Sequence, residues 1–414
     1  MVFMKICMLA PEFIPAWGGV GTYIVELVRH LPKDIGVHVV TPMRESFGKG
    51  KISTSDYDFS KYFGNNVHVH FVCKARDTFF YNAKFQYACL NYVPKLIKEE
   101  QIDLIHSHTA HMPDLLLMFR SLNKPIVTTV HTTIKSQRFG VKLSNRDLHD
   151  LERSEKATLL LYPALRFAEE IYFRRKRLYI TPSKWMKQWL ENNFHINGYV
   201  RVISNAVDIS NYESTKCDDE LSNIIPPNLR SRKIVLYAGR LLAAKGVDIL
   251  IESIPEVLKA VESNEVLFVF AGPGNIDKYR RKAKRMQIED YCLFTGSLHR
   301  QIVVRLMMSA EVVVLPSFLE NSPFVILESM ACGTPVISTD AGGIPEIIES
   351  GYNGILVKPG SIKALAEAII EILNDKKLRN LLSLRAKETV RNRFSWPVIV
   401  KKYLEAYSDA FRID

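Results

Sequence analysis

The sequence predicts an α/β protein of two doubly wound parallel-sheet domains, and three observations carry that expectation. Short, continuously apolar, β-branched runs alternate with helical patterns along all 414 residues, a length that lets each of two domains bury its own core. Runs without a polar face belong to parallel strands covered by helices on both sides, since a half-solvated strand would alternate. One polar, Pro-bearing, aperiodic stretch, ESTKCDDELSNIIPPNLRSRK, breaks the alternation between Asn205 and Lys233 and reads as a linker. The first domain is therefore placed at residues 1–205 and the second from residue 206.

In the first domain the strands fall near Met4–Leu9, Val37–Thr41, Val67–Val72, Leu104–Ser107, Ile126–Val130 and Tyr179–Thr181. In the second they fall near Ile234–Ala238, Leu267–Ala271, Cys292–Thr295, Val312–Leu315, Val336–Thr339 and Ile355–Val357. Ligands of such folds sit at the carboxyl ends of the strands, so the turns that follow strands hold the candidates. A cleft between the domains is the natural active site.

Composition narrows the class. No apolar run reaches the roughly 18–20 residues of a spanning helix. The amino end, with Pro11-Glu12 after its apolar run, reads as a first strand and not as a signal peptide. Six scattered cysteines (Cys7, Cys73, Cys89, Cys217, Cys292 and Cys332) form no Cys-x-x-Cys pair, as reduced thiols of a cytoplasmic protein would. The net charge of +11 is uneven: residues 1–205 carry +10 and residues 206–414 carry +1. The run Arg174-Arg175-Lys176-Arg177 belongs to the basic half. It is either a solvated helix end or a surface for an anionic membrane or acidic acceptor. No nucleic-acid module accompanies the charge, so nucleic acid is not the expected partner.

The stretch ENSPFVILESMACGTPVIST raises the sharpest question, because Glu328 lies inside an apolar helical run and Glu320 just before it. A buried carboxylate without a partner costs several kcal/mol, so protein or ligand must supply one. Ser322-Pro323 predicts a helix start, with Ser322 as cap. The amides of Phe324 and Val325 then form an anion site at the helix's positive end, flanked by two carboxylates. That combination suits a nucleotide sugar, with hydroxyls at both ends and phosphates between. The alternative is a Glu328 paired with a core lysine or a backbone amide.

Neighbouring strand ends add to it. After Ile234–Ala238, Arg240 and Lys245 bracket a loop, where they either neutralise a diphosphate or are plain surface charges. Gly272-Pro273-Gly274 allows close backbone approach, and Gly342-Gly343 makes a second glycine turn expected to precede another helix. Gly18, Gly19 and Gly21 follow the first strand, but a third dinucleotide glycine would fall on Ile24, and no acidic residue ends the next strand. A flexible loop at Gly18 and Gly19 touching phosphate or acceptor fits better than a nicotinamide fingerprint. His106, His108, His111 and His131 cluster near two strand ends. With no Asp, Glu or Cys completing a zinc set, no metal is expected, and His108 and His131 are better read as substrate contacts.

Assembled, these residues resemble the retaining nucleotide-sugar glycosyltransferases of family four, across nearly the whole chain. The specific matches are the E-x7-E pair Glu320/Glu328, MACGTPVIST, AGGIPE and AGR…KG at Arg240 and Lys245; GGVGTY, HSH, VHTT and SNAVD are softer. The resemblance implies the GT-B fold of two Rossmann-like domains. The acceptor-side domain would be 1–205 and the nucleotide-sugar domain 206–396, with a closing helix at 397–414 returning to the first. It implies Arg240 and Lys245 on the diphosphate, Glu328 on the ribose, Glu320 on the donor sugar and His108 near sugar or phosphate. His131 and Thr132, at the end of the neighbouring strand, are the acceptor-side candidates. The resemblance also implies no metal, no protein nucleophile, and a leaving diphosphate that takes the acceptor proton on the same face. Asn321-Ser322-Pro323 replaces the Gly-Phe-Gly common in the family, and Ala206 stands where Gly is commoner, which would cost about 1 kcal/mol if its φ were positive.

The implied activity moves a hexose from a UDP- or GDP-sugar to an unidentified acceptor; the charge split between the halves points to an anionic or lipid-linked acceptor and to peripheral contact at an anionic membrane. Three rivals stand beside it. A nucleotide-sugar epimerase or phosphorylase of this fold is disfavoured by acceptor loops such as Ser136–Leu151, and a non-catalytic partner by the survival of both glutamates and both cations. A nicotinamide oxidoreductase is disfavoured by the failed glycine pattern.

Overall fold

The computed structural model describes residues 4–14, 18–44, 46–47, 50–51, 59, 62–75, 81–109, 112–145, 151, 153–196, 198–213, 221, 224–262 and 265–413. One compact unit comprises residues 1–133, 164–206 and 396–414; the other comprises 134–163 and 207–395.

The strands of the first unit are β1 (Met4–Leu9), β2 (Ile35–Arg44), β3 (Ser46–Phe47), β4 (Gly50–Lys51), β5 (Val67–Ala75), β6 (Leu104–His108), β7 (Ile126–Thr129), β8 (Arg177–Thr181) and β9 (Gly198–Val202). Seven form a parallel sheet in the order β5-β2-β1-β6-β7-β8-β9, while β3 and β4 make a small antiparallel pair. The second unit holds β10 (Lys233–Ala238), β11 (Val266–Ala271), β12 (Cys292–Gly296), β13 (Ala310–Leu315), β14 (Val336–Thr339) and β15 (Ile355–Val357). Its parallel order is β12-β11-β10-β13-β14-β15. Chain order thus reverses between β1 and β6 and between β10 and β13, and those reversals open the crevices that bind ligands in open α/β sheets.

The helices run from α1 (Gly19–His30) and α2 (Tyr81–Glu100) through α3 (Ile134–Leu143), α4 (Arg153–Leu160), α5 (Tyr162–Phe173), α6 (Lys184–Asn193) and the short α7 (Ser210–Glu213). They continue as α8 (Val247–Ala260), α9 (Ile276–Arg285), α10 (Arg300–Ser309), α11 (Phe324–Cys332), α12 (Ile362–Asn374), α13 (Lys376–Arg393) and α14 (Trp396–Ala410). Fully apolar strands take central positions: all six residues of β11 are buried between helices on its two faces. Among the described residues no helix is long and apolar enough to cross a membrane.

Several expectations need correction. β9 was not foreseen, because GYVRV is an edge strand with two exposed residues and lacks an apolar run. Arg177 of the basic run is buried at 4% exposure in an ion pair with Asp114, so it adds nothing to a basic surface. The polar stretch after Asn205 is only partly a linker: Val207, Tyr212 and Ile225 are buried in the second unit, and 214–220 and 222–223 lie outside the described residues. Ala206 keeps a negative φ, so no strain arises there. Residues 134–163 belong to the second unit, and Ser136 of the expected acceptor loop sits within α3. Residues 146–150 of that loop are outside the described residues.

Candidate active site

In the second unit the loops after β10 and β13 leave the sheet side by side at the order reversal, and their backbones join: Phe318 N donates to Ala244 O at 3.0 Å. Gly246, at φ +70°, closes the first loop where a Cβ would stand 1.9 Å from Pro316 O, so only glycine permits this approach. At this junction Lys245 Nζ and Glu320 Oε1 form an ion pair, with Glu320 11% and Lys245 31% exposed. Ser317 Oγ donates to the same Oε1 at 3.0 Å.

The second glycine turn holds Glu320 from behind. Gly343 N donates to Glu320 O at 2.9 Å, and at Gly342 (φ +63°) a Cβ would lie 1.9 Å from that oxygen. The helix expected after this turn is instead a single 3-10 turn, Ile344–Glu346. Asn353 ends it, accepting from Glu349 N at 2.8 Å and donating to Ile347 O at 3.1 Å.

Arg240 is exposed, and its carbonyl accepts from Tyr237 OH at 2.7 Å, which fixes the turn by its backbone. Burial first, and then the charge of Glu320, pushes the Tyr237 hydroxyl well above its ordinary pKa. That hydroxyl therefore stays a neutral donor. Gly272 N donates to Gly296 O at 2.9 Å, and Leu241 N to Pro273 O at 2.8 Å, so the glycine turn after β11 lies against the Arg240 loop.

Helix α11 begins one residue later than expected: its cap is Pro323, whose carbonyl accepts from Ile326 N at 3.2 Å, and Ser322 is a buried residue just outside. Phe324 and Val325 still head the helix, where amides have no carbonyl partner inside it. Glu328 proves to have partners within the protein. Tyr212 OH donates to its Oε1 at 3.2 Å, and Arg300 donates from Nε at 3.2 Å and Nη2 at 3.0 Å. Neither partner was legible in the sequence, since Arg300 lies 28 positions away and Tyr212 116, just ahead of the stretch taken for a linker. Burial above all, then the Glu328 charge, raises the Tyr212 pKa.

In the first unit, strand alternation puts His106 and His108 on one face of β6 and Ser107 on the other. His106 lies between Tyr407 OH (2.9 Å from Nδ1) and Thr129 Oγ1 (2.8 Å from Nε2), while Tyr23 OH donates to Tyr403 OH at 2.6 Å. Helix α14 is thereby tied into this cluster. His108 is fully buried, with Nδ1 3.2 Å from His131 Nε2 and Nε2 3.3 Å from Met8 Sδ. His131 is only partly buried, so it, and not His108, reaches the surface. Burial pushes His106 down to about 3 and His131 to about 4, and lowers His108 well below its ordinary value, which keeps all three rings neutral near pH 7. Thr132 is partly buried, and its carbonyl accepts from Thr109 Oγ1 at 3.1 Å. His111 lies outside the described residues. Gly18 caps α1: its N donates to Glu12 Oε2 at 2.9 Å, and its carbonyl accepts from Thr22 N at 2.9 Å. Gly19 is exposed, with nothing within 4 Å of where a Cβ would stand.

Comparison with known proteins converges on one family. Residues 17–211 match the model "Glycosyltransferase Family 4", and residues 222–389 match "Glycosyl transferases group 1". An uncharacterized glycosyltransferase of Methanocaldococcus jannaschii is 31% identical over 56% of this chain and 60% of its own length. The N-acetyl-alpha-D-glucosaminyl L-malate synthase of Bacillus anthracis is 25% identical over 84% of this chain and 86% of its own. The solved structure of Anabaena HepE with UDP and glucose superposes with a TM-score of 0.73 at 20% identity, covering 98% of this chain and 100% of that one. One model spans the glycine loop and the histidines and the other spans both glutamates and both cations, so the chain belongs to the family four glycosyltransferases of the GT-B fold.

Proposed function

We propose that the protein is a retaining hexosyltransferase that takes its sugar from UDP- or GDP-hexose and binds the nucleotide in its second unit. The observation that carries this reading is the Lys245–Glu320 pair where the loops after β10 and β13 join, at a strand-order reversal. Arg240, Lys245 and the first amides of α11 are assigned to the diphosphate, with Gly272 and Ser322 alongside. Glu328 is assigned to the ribose through Oε2, because its three protein hydrogen bonds all reach Oε1. Gly18 and Gly19 keep their assignment to donor phosphate, and His131 and Thr132 to the acceptor. His108 is a positioning residue that acts through His131.

In this reading the bond from C1 of the sugar to the phosphate oxygen breaks and one from C1 to the acceptor oxygen forms. The acceptor's proton passes to the departing phosphate on the same face, which retains configuration. Cations stabilise the leaving diphosphate, so no metal is invoked. The UDP preference is supported by the UDP and glucose held by the Anabaena protein.

Thermal-shift titration with UDP-, GDP- and ADP-sugars tests the donor, followed by release of nucleoside diphosphate in the presence of candidate acceptors. Stabilisation by a UDP- or GDP-hexose is expected. Glu328→Ala should weaken donor binding, and Glu320→Ala should lower turnover more than donor affinity. A protein that none of these donors stabilises, or an E328A variant with unchanged nucleotide affinity, would contradict the assignments.

The acceptor is assigned as anionic or lipid-linked, supported by the +10 charge of residues 1–205 against +1 beyond. The relative from Bacillus anthracis is named for a malate-bearing product, also an anion. Sedimentation should show binding to anionic but not neutral vesicles, falling as salt screens the charge. Equal partition onto both, or onto neither, removes the membrane part of this assignment.

A further inference from the structure

The first unit carries a second histidine cluster that the transfer site does not use. In the β2–β5 register His38 stands opposite His68, and Val40 opposite His70, so the three rings share one face of the sheet. His38 is buried at 3% exposure, His70 is partly buried and His68 is exposed. His38 Nδ1 lies 3.1 Å from His70 Nε2, and the His38 ring is centred 4.9 Å from that of His68 and 5.3 Å from that of His70.

The outer nitrogens have oxygens to meet. Tyr92 OH on α2 stands 2.9 Å from His70 Nδ1, and Glu100 Oε2 stands 3.8 Å from His38 Nε2. A neutral imidazole has one N–H. The inner contact is a hydrogen bond when one of its nitrogens keeps the proton; with both protons turned outward towards Tyr92 and Glu100, the inner nitrogens present two lone pairs that one cation can bridge. Two nitrogens on one tetrahedral ion at about 2.0–2.1 Å are roughly 3.3–3.4 Å apart, close to the separation here. A carboxylate or hydroxyl behind each ligating histidine is the usual way a protein fixes the tautomer.

We propose that His38 Nδ1 and His70 Nε2 bind a borderline divalent cation of the zinc class, with His68 joining by a side-chain turn and water completing the shell. Imidazole donors without thiolates suit Zn²⁺, Co²⁺ or Ni²⁺ rather than the hard cations. The site lies at the fourth residue of β2 and the second and fourth of β5, away from the carboxyl ends where ligands of the fold bind. Its role is structural: the ion ties edge strand β5 to β2, with Tyr92 and Glu100 of α2 behind the ligands. Lys5 on β1, 3.7 Å from Glu100, shares that carboxylate and limits its pull on His38.

The test is titration of tag-free, chelator-stripped protein with Co²⁺, read by its visible absorption, and with Zn²⁺ against a chromophoric chelator. One equivalent with a tetrahedral Co²⁺ spectrum is expected, together with a higher thermal midpoint. His70→Gln should weaken binding at least tenfold, Tyr92→Phe by about 10–100-fold, and the exposed His195→Gln should leave it unchanged. Should His70→Gln fold poorly, the exposed His68→Ala serves in its place, with loss of the tetrahedral spectrum expected. Wild-type protein that retains no equivalent, or H68A and H70Q variants that bind as tightly as wild type, would overturn the assignment.

Discussion

Lys245→Ala and Arg240→Ala are each expected to lower turnover at saturating donor by about 10²–10³, the usual effect of removing one donor to a developing oxyanion. Charge on the departing diphosphate grows towards the transition state, so these cations should act on rate and not only on binding. The two variants should nonetheless differ. Lys245 is the ion-pair partner of Glu320, whose other side-chain hydrogen bond comes from Ser317. Its loss therefore frees the carboxylate assigned to the sugar, and both KM and kcat should worsen. Arg240 is exposed and anchored by its backbone, so Arg240→Ala should leave the loop intact and lower kcat with a smaller change in KM. Arg240→Lys should restore little if the guanidinium grips two phosphate oxygens at once. Initial rates against donor concentration decide the matter, with circular dichroism checking the fold. Normal turnover of both alanine variants at saturating donor would confine the pair to ground-state binding.

The fold was legible because parallel strands buried on both faces leave apolar runs that need no partner to recognise. The twelve anticipated strands all lie within or overlapping strands of the structure, whereas β9, which is half-exposed, left no such run. The geometry around the candidate residues was legible only where it is local in sequence. Glu320 and the α11 amides share one stretch, and Lys245 follows a strand whose end could be read directly. The partners that give Glu328 its place could not be found that way, because Arg300 heads α10 and Tyr212 belongs to a polar segment. Apolar context correctly marked Glu328 as a carboxylate in need of partners; that one was a guanidinium from another helix followed from the packing of α10 beside α11. The same limit explains Arg177, whose neighbours in sequence are basic and whose partner is 63 positions upstream.

Asp114→Ala should be the most destabilising single change in the first unit, by about 3–5 kcal/mol, because it leaves a buried guanidinium unpaired. The side chains of Arg177 and Asp114 are 2% and 0% exposed and 2.6 Å apart. Ser107 Oγ and Tyr172 OH donate to the other carboxylate oxygen at 2.5 Å and 2.6 Å, and Arg177 Nη1 also donates to Thr128 Oγ1 at 2.9 Å. Burial alone would raise the Asp114 carboxyl, but the Arg177 charge and these hydrogen bonds outweigh it and hold its pKa below the ordinary value. A carboxyl depressed in the folded state lends stability above its unfolded pKa of about 3.9, and that stability is lost as pH falls through the folded value. Wild-type protein should therefore lose this increment only in acid, and Asp114→Asn should lack it at every pH. Replacing both partners, as in Asp114→Leu with Arg177→Met, should recover much of the loss, since no buried charge then remains. The histidines assigned to the site are linked to the pair through β6: Ser107 bonds Asp114 on one face while His106 and His108 occupy the other. Asp114→Ala should thus also disturb His131 through His108, visible as altered imidazole signals by NMR below the melting range. Calorimetry of the first unit's transition checks the energy, and an unchanged midpoint with unchanged imidazole signals would show the pair to be dispensable.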